Sequence, residues 1–552
     1  MVYTGKPSRG CQTCKSRRIK CDEIRPTCTQ CRKSGRTCPG YPDEFDLIFR
    51  DENAALERRA RKASGSKSAS RGSSRPSPSS GSEPSPEAGL VLLSDSPLSQ
   101  NSPCADQSRL VLPSDHSLFQ AYLWYLGNAV PPPLAPSAET QATAFFFRNF
   151  VLLPQQAESM RGFLELLVPL YNQSMPFSAL HLATHAVSLS TLGNYPGRHQ
   201  LLRDASVAYG QALKKVKQAL EDPVESKADE TVLAILMFSL YEAIVSTNET
   251  VTAWASHVDG AVALTKLRGA EQFKNPQSYQ VFRAVRTMMI TSCVQRSKPV
   301  EEFPTANGWL GDENSQENAA NRLTLISIDL PAIRARARTL LSHERSAATE
   351  AEALALIEYA QMVDANLENW ARTLPDYWNY RTAGMVYDMP EDLNSAEQWP
   401  GPQHAYDDVF IANIINDYRV SRIFCQSVIL GCASWLAPDG HDSRTDANCI
   451  NAHFVIQEMA DEIAASVPFH VSYDMQPMAK KLGQDVSAAE ALGGYFLVWP
   501  LFVAANADSV PLNQRDWFRG RLYHIGREFG LSNAQILVLA RRHVLTCGPM
   551  FP

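Results

Sequence analysis

The chain has 552 residues, 44% hydrophobic and 20% charged, a composition that lets most of its length bury a core and excludes a wholly disordered protein. Its net charge of −6 hides an asymmetry: residues 1–75 hold 18 Lys and Arg against 8 Asp and Glu, and the remainder holds 34 against 50. A basic end on an acidic body predicts a polyanion-binding module. The longest apolar run, Thr231 to Val245, is too short for a bilayer and contains Ser239, Tyr241 and Glu242. The N-terminus is polar and basic, without a signal-peptide core, so the sequence predicts a soluble intracellular protein.

Six of the 12 cysteines, Cys11, Cys14, Cys21, Cys28, Cys31 and Cys38, lie in one short segment. The aliphatic residues between them are Ile19 and Ile24, so apolar burial cannot offset the conformational entropy of folding there. In a reducing compartment clustered thiols bind metal. The unit Cys-x2-Cys-x6-Cys is written twice, and each half opens with the two-residue gap that lets successive thiolates grip one zinc. Three thiolates do not complete a tetrahedral site, and two zinc ions need eight ligand positions from six sulfurs, so two cysteines must bridge. Between Cys14 and Cys21, Lys15, Arg17, Arg18 and Lys20 put four cations on a short predicted helix, and Arg32 and Lys33 repeat the theme. Such a helix suits the major groove. Two other readings are a zinc knot for protein contact, which normally shows eight ligands and often histidine, and a solvated basic face.

This pattern resembles the fungal binuclear zinc cluster family of transcription regulators. The resemblance implies two zinc ions, with Cys11 and Cys28 bridging, Cys14 and Cys21 completing one site and Cys31 and Cys38 the other. It implies further that the first basic run enters the major groove of double-stranded DNA and recognises a CGG-type triplet. Lys15, Arg17, Arg18 and Lys20 carry over to that run, with Arg17 and Arg18 as base readers, while Arg32 and Lys33 of the second half contact phosphates. Arg25-Pro26 falls in the loop joining the halves. Zinc contributes roughly 10–16 kcal/mol to small zinc-dependent modules, so this one is expected to be unfolded without metal.

The zinc module is assigned to residues 8–42 and a linker to 43–114. Asp43 to Arg50 alternates acids with large apolar groups and runs into Ala54-Ala55-Leu56, predicting a short helix, and three readings stand: a dimerising coiled coil, an activation segment and a spacer helix. Arg58, Arg59, Arg61 and Lys62 form a nuclear-import candidate, or else add phosphate contacts. From Ser64 to Glu87, 11 Ser, 4 Pro and 3 Gly and no aromatic predict a disordered tether.

Residues 115–552 read as a large all-α regulatory domain, so the fold class is mostly α. Leu201, Leu202, Ala205, Ala208, Tyr209, Ala212, Leu213, Val216 and Leu220 share a helical stripe, with Lys214, Lys215 and Lys217 opposite. Glu230 to Val245 is apolar almost all round and predicts a central bundle helix. Trp254 to Leu267 predicts another, stopped by Arg268-Gly269. The resemblance extends here: Asp229-Glu230-Thr231, the stretch from Trp254 to Ala261, Leu267-Arg268-Gly269, the stretch Asn416 to Arg419, Ala460 to Ile463, Ser466-Val467-Pro468 and Tyr495 to Leu501 look like the helical regulatory domain of many fungal zinc-cluster regulators. His257 reads as a packed, hydrogen-bonded residue. His181 and His185 are one turn apart, but Leu182 stands where a zinc-protease helix needs Glu. Cys425 and Cys432 read as core. Two irregular stretches, Ser297 to Asn321 and Leu374 to Asp408, interrupt the helices; the second carries Tyr377, Trp378, Tyr380, Tyr387 and Trp399 and reads either as an ordered loop over an effector pocket or as a lid on apolar helix faces.

The leading functional expectation is a nuclear, sequence-specific DNA-binding regulator of RNA polymerase II genes, not an enzyme, with a local biosynthetic gene cluster as its target. Its partners would be double-stranded DNA with CGG-type sites, a second copy of the chain in a homodimer, and the transcription machinery or co-regulators. The alternatives are a non-enzymatic adaptor or effector-sensing scaffold on chromatin, and an enzyme localised by its zinc module. No Gly-x-Ser-x-Gly elbow or His-Glu-x-x-His pair supports the last.

Overall fold

The structure, a computed structural model, describes residues 11, 13–14, 17, 19, 21–22, 28–36, 38, 136–195, 197–246, 253–311, 317–438, 445–471, 490–507 and 509–539. The chain divides into two compact units, Met1–Val111 and Leu112–Pro552. The predicted short helix after Asp43, the basic run Arg58 to Lys62 and the Ser/Pro-rich tether all lie outside the described residues.

The first unit contains helix α1, Thr29–Lys33. The second is built of helices with one small ribbon. Its first half runs through α2 (Ala138–Phe150), α3 (Leu167–Gln173), α4 (Ala179–Gly193), α5 (Leu201–Glu221), α6 (Asp229–Val245), α7 (Ala253–Arg268) and α8 (Pro276–Arg296). Its second half runs through α9 (Ala319–Ile326), α10 (Leu330–Leu340), α11 (Ala347–Arg372), the strands β1 (Arg381–Val386) and β2 (Gly401–Ala405), α12 (Val409–Leu436), α13 (Ala447–Val471), α14 (Glu490–Asn506), α15 (Leu512–Glu528) and α16 (Ser532–Leu539). No helix among the described residues is long and apolar enough to cross a membrane.

α6 is the hub of the first half, as its composition predicts. Residues Thr231 to Tyr241 are buried without a break, because α4, α5, α7, α8 and the returning α16 pack around it. α5 shows the predicted single buried face, Leu201, Ala205, Ala208, Ala212 and Val216. The stripe ends differently: Ala219 faces the core and Leu220 is 40% exposed, because one residue further turns the side chain about 100° round the helix. The stop after α7 carries a contact the sequence does not announce. Arg268, buried, pairs with Asp229 at the start of α6, which also accepts Ser278 Oγ at 2.9 Å. Two separate sequence motifs thus meet.

The second half is organised on α12, 28 residues long and capped by Asp408, whose Oδ1 accepts the Ile411 N–H at 2.7 Å. Two buried arginines on α12 tie its surroundings together, and a third, on α8, ties the segment that follows α8. Arg419 donates to Glu462 at 2.8 Å, Tyr406 at 2.9 Å and Asn416 at 2.7 Å. Arg422 grips both carboxylate oxygens of Asp364 at 2.8 and 2.9 Å and reaches Glu368 at 2.7 Å. Arg286 of α8 donates to Glu317, the Trp309 carbonyl and Asn321 at 3.0 to 3.1 Å.

The stretch from Leu374 to Asp408 is more regular than its sequence suggests. It holds the antiparallel pair β1–β2, registered from Arg381 opposite Ala405 to Val386 opposite Gly401, with an irregularity between Thr382 and Gly384. Some of its aromatics are used for cover, whereas Tyr387 is exposed. Trp378 is buried, Tyr380 stacks on His404 at 3.6 Å between ring centres, and Trp399 packs on Trp517, whose indole N–H donates to the Ala396 carbonyl at 2.9 Å. At Gly520 a Cβ would lie 2.3 Å from the Asn394 carbonyl oxygen, so only glycine lets this segment lie on α15. Among the described residues, none from this stretch lines the cavity of about 210 Å³ formed by the helices of this unit.

Two buried histidines make the fold acid-sensitive. Burial, with the Arg419 charge adding, holds His404 down at about 3 and His470 down at about 4, so both are neutral in the folded state. An unfolded imidazole titrates near 6.5, so the stability these groups carry is complete above that pH and is lost as pH falls toward 4. Between pH 7 and pH 5 each is expected to cost about 2 kcal/mol. Unfolding free energies of His404→Phe from denaturant titration at the two pH values should therefore differ by about 2 kcal/mol less than those of the wild type; an unchanged difference would assign the proton uptake elsewhere.

Candidate functional site

The cysteine segment folds around its sulfurs. Cys11, Cys14, Cys28 and Cys31 are at most 1% exposed, with Cys21 and Cys38 packed beside them. Five residues make α1 too short to persist alone, and its caps account for it. The Cys28 thiol accepts the Cys31 N–H at 3.4 Å at the N-terminus, and both oxygens of Asp22 accept the Thr29 N–H at 3.1 and 3.2 Å. At the other end Gly35 takes φ +60°, which lets the Arg36 N–H reach the Cys31 carbonyl at 3.0 Å. Positions i and i+3 share a helix face, so Cys28 and Cys31 point the same way.

The sulfurs fall into two groups of four: Cys11, Cys14, Cys21 and Cys28, and Cys11, Cys28, Cys31 and Cys38. Cys11 and Cys28 belong to both. All are free thiols. The separations are 3.8 Å for Cys11 to Cys28, 3.7 Å for Cys11 to Cys31 and 3.7 Å for Cys14 to Cys28. A disulfide needs about 2.05 Å, whereas sulfurs at the corners of a tetrahedron about 2.3 Å from a central zinc stand about 3.8 Å apart. The donor set therefore fits tetrahedral zinc in size as well as in softness. Burial, with the neighbouring thiols adding, pushes Cys14 up and Cys31 up to about 12, which is how crowded thiols behave without a cation between them. A divalent ion among them reverses that preference and holds the thiolates deprotonated.

Of the residues expected to meet DNA, Arg17, Arg32 and Lys33 are exposed on this module. Arg17 sits in a turn just after the helical pair Thr13 and Cys14. Lys15, Arg18 and Lys20 lie outside the described residues, as do Arg25, Pro26, Arg58, Arg59, Arg61 and Lys62. Asp22 is a structural contributor that the reading from sequence missed; an acid directly after Cys21 amid cations was the available signal.

The other sequence candidates resolve as packing. His257 lies 3.0 Å from the Tyr209 hydroxyl, which also donates to Glu242 at 2.7 Å. His181 lies 3.0 Å from Ser174 Oγ and against the Tyr171 ring. Cys425 and Cys432 are buried, as expected. Among the described residues, the two cysteine groups are where three or more Cys, His, Asp or Glu ligands converge.

Comparison with known proteins gives these features a family. Residues 9–46 match the Fungal Zn(2)-Cys(6) binuclear cluster domain, and residues 144–296, from α2 to the end of α8, match the Fungal specific transcription factor domain. A protein named transcription factor dbaG, from Emericella nidulans, is 24% identical over 429 residues, 76% of this chain and 97% of that protein. The aspercryptin biosynthesis cluster-specific transcription regulator atnN of Emericella nidulans is 54% identical over 37 residues, 7% of this chain and 6% of that protein. White-opaque regulator 2 of Candida albicans is 52% identical over 44 residues, 8% of this chain and 10% of that protein. No solved structure matches the chain. The chain thus carries, in order, a segment that matches the Zn(2)-Cys(6) cluster domain and a segment that matches the fungal specific transcription factor domain, the two parts of a fungal binuclear zinc cluster transcription factor.

Proposed function

We propose that this protein is a nuclear, sequence-specific DNA-binding regulator of RNA polymerase II genes whose six cysteines hold two zinc ions. Cys11 and Cys28 bridge, Cys14 and Cys21 complete one site, and Cys31 and Cys38 complete the other. The observation that carries this reading is the pair of four-sulfur groups sharing Cys11 and Cys28, with exposed cations on the same module. In this reading residues 8–42 form the DNA-binding module, 43–114 the linker with its import run, and 115–552 a regulatory domain that is not an enzyme. Arg17 and Arg18 read the guanines of a CGG-type triplet, since a guanidinium matches the O6 and N7 acceptors of guanine, while Arg32 and Lys33 neutralise phosphates. The zinc ions supply the fold that presents these side chains; the side chains do the reading. A second copy of the chain and co-regulators complete the working assembly. Control of a local biosynthetic gene cluster is supported by the name of one relative, a biosynthesis cluster-specific regulator.

The test is a mobility-shift titration of the zinc-loaded full chain on CGG-containing and scrambled duplexes at fixed salt. Arg18→Ala is expected to cost about 1–3 kcal/mol on the CGG duplex and to narrow its advantage over the scrambled one. Lys33→Ala is expected to weaken both duplexes alike and to lower the salt slope by about 1. Wild-type protein that binds both duplexes equally would sink the reading.

A further inference from the structure

The second half of the cysteine module carries a hydroxyl set among cations. Ser34 closes α1 as its C-terminal cap, and Arg32, Lys33, Ser34, Gly35 and Arg36 are all exposed. No Asp or Glu lies between Cys28 and Cys38, so the charge around this serine is all of one sign. Arg32, Lys33 and Arg36 have no carboxylate partner among the described residues. Ser297 also sits between two cations, but there Arg296 is paired with Asp259 and Lys298 with Glu301.

The hydroxyl is free to leave its present partners. Ser34 Oγ donates to the Gln30 carbonyl at 2.7 Å and lies 3.2 Å from the Cys31 carbonyl. Both carbonyls are satisfied without it: Gln30 O also accepts the Ser34 N–H at 3.2 Å, and Cys31 O accepts the Arg36 N–H at 3.0 Å. Rotation about the Cα–Cβ bond therefore turns the hydroxyl outward and leaves neither carbonyl unmet. The neighbouring backbone is open as well. At Gly35, where φ is +60°, an added Cβ would meet nothing within 4 Å.

We propose that Ser34 is a phosphorylation site for a protein kinase with an acidic substrate groove, and that the phosphate weakens the hold of this module on DNA. The modification itself stands on the module alone, whereas its consequence rests on the DNA-binding reading above. In the transfer, a bond forms between Ser34 Oγ and the γ-phosphorus of ATP as the bond from that phosphorus to the β–γ bridging oxygen breaks. ADP leaves, and the hydroxyl proton goes to the catalytic carboxylate of the kinase. The ester brings a charge of about −1.5 to −2 and three acceptor oxygens. Charge-assisted hydrogen bonds from Arg32, Lys33 and Arg36 to these oxygens take the same side chains away from DNA phosphates. The base readers Arg17 and Arg18 belong to the other half of the module. Phosphorylation therefore weakens binding to every sequence alike and leaves the base preference in place.

The first experiment incubates the zinc-loaded full chain with ATP and the catalytic domain of protein kinase C, which takes serines flanked by basic residues, and maps the phosphate by peptide mass spectrometry. Ser34 is expected to be labelled in the zinc-loaded chain and also after chelation. Labelling of Ser34 only after chelation, or in neither state, would overturn the site. The second experiment titrates the full chain, with phosphoserine encoded at position 34, on the CGG-containing and scrambled duplexes. Both Kd values are expected to rise at least about tenfold, with their ratio kept and the salt slope lower by about 2. Ser34→Ala is expected to bind like the unmodified wild type, and Ser34→Glu to fall between the two. An unchanged Kd for the phosphorylated chain, a lost CGG preference, or loss of its zinc in native mass spectrometry would overturn the proposed consequence. Unmodified wild type that binds both duplexes equally would instead count against the DNA-binding reading and leave the labelling result standing.

Discussion

Cys28→Ser is expected to leave the full chain with no tightly bound zinc, whereas Cys38→Ser is expected to keep one ion. The difference follows from the sharing of sulfurs: Cys28 belongs to both four-sulfur groups and Cys38 to one. A serine hydroxyl can still accept the Cys31 N–H at the start of α1, so the substitution removes the metal ligand and not the helix cap. Zinc in such modules contributes roughly 10–16 kcal/mol, far more than the packing of two isoleucines can replace. Native mass spectrometry counts the ions, and protease susceptibility of the N-terminal unit reports its folding. Strong chelation of the wild type should reproduce the Cys28→Ser digestion pattern. Equal metal counts in the two variants would mean that the sulfurs are not shared as proposed.

Arg419→Leu is expected to destabilise the helical unit by about 3–5 kcal/mol, read as a shift in the denaturant midpoint at unchanged slope. The Arg419 side chain is fully buried and donates to Glu462, Tyr406 and Asn416. Leucine fills part of the volume but leaves those acceptors unmet, and the Glu462 carboxylate loses its cation. The control is Lys274→Ala, whose pair with Glu271 is exposed on both sides and is expected to change stability by less than about 0.5 kcal/mol. Equal losses from both substitutions would remove the special standing of the buried network.

The Arg419 network also shows where reading the chain in one dimension stops. Asn416 to Arg419, Ala460 to Ile463 and Ser466-Val467-Pro468 stand out in the sequence as three unconnected motifs. In the fold they are one: Arg419 bonds Glu462, and Asn416 bonds Ser466 at 2.9 Å. In the same way Asp229 and Arg268, singled out 39 residues apart, turn out to be an ion pair. Periodicity identified helices such as α5 because burial on one face repeats every 3.6 residues, and the lack of a polar face identified the buried hub α6. It misplaced Leu220 because a stripe of small and large apolar groups does not say which neighbour of the last turn faces inward.

Local spacing alone established the cysteine module, since ligands two and six residues apart meet within one or two turns of chain and the sulfur chemistry does the rest. It likewise established the basic balance of the N-terminal segment and the helical character of the remainder. Only the tertiary structure decided that the aromatic stretch from Leu374 to Asp408 pairs two strands and lies on α15, and that a cavity opens among helices drawn from both ends of the unit. Cavities, buried ion networks and lids are made by residues dozens to hundreds of positions apart, and nothing in a short window of sequence records which distant side chain will arrive to complete them.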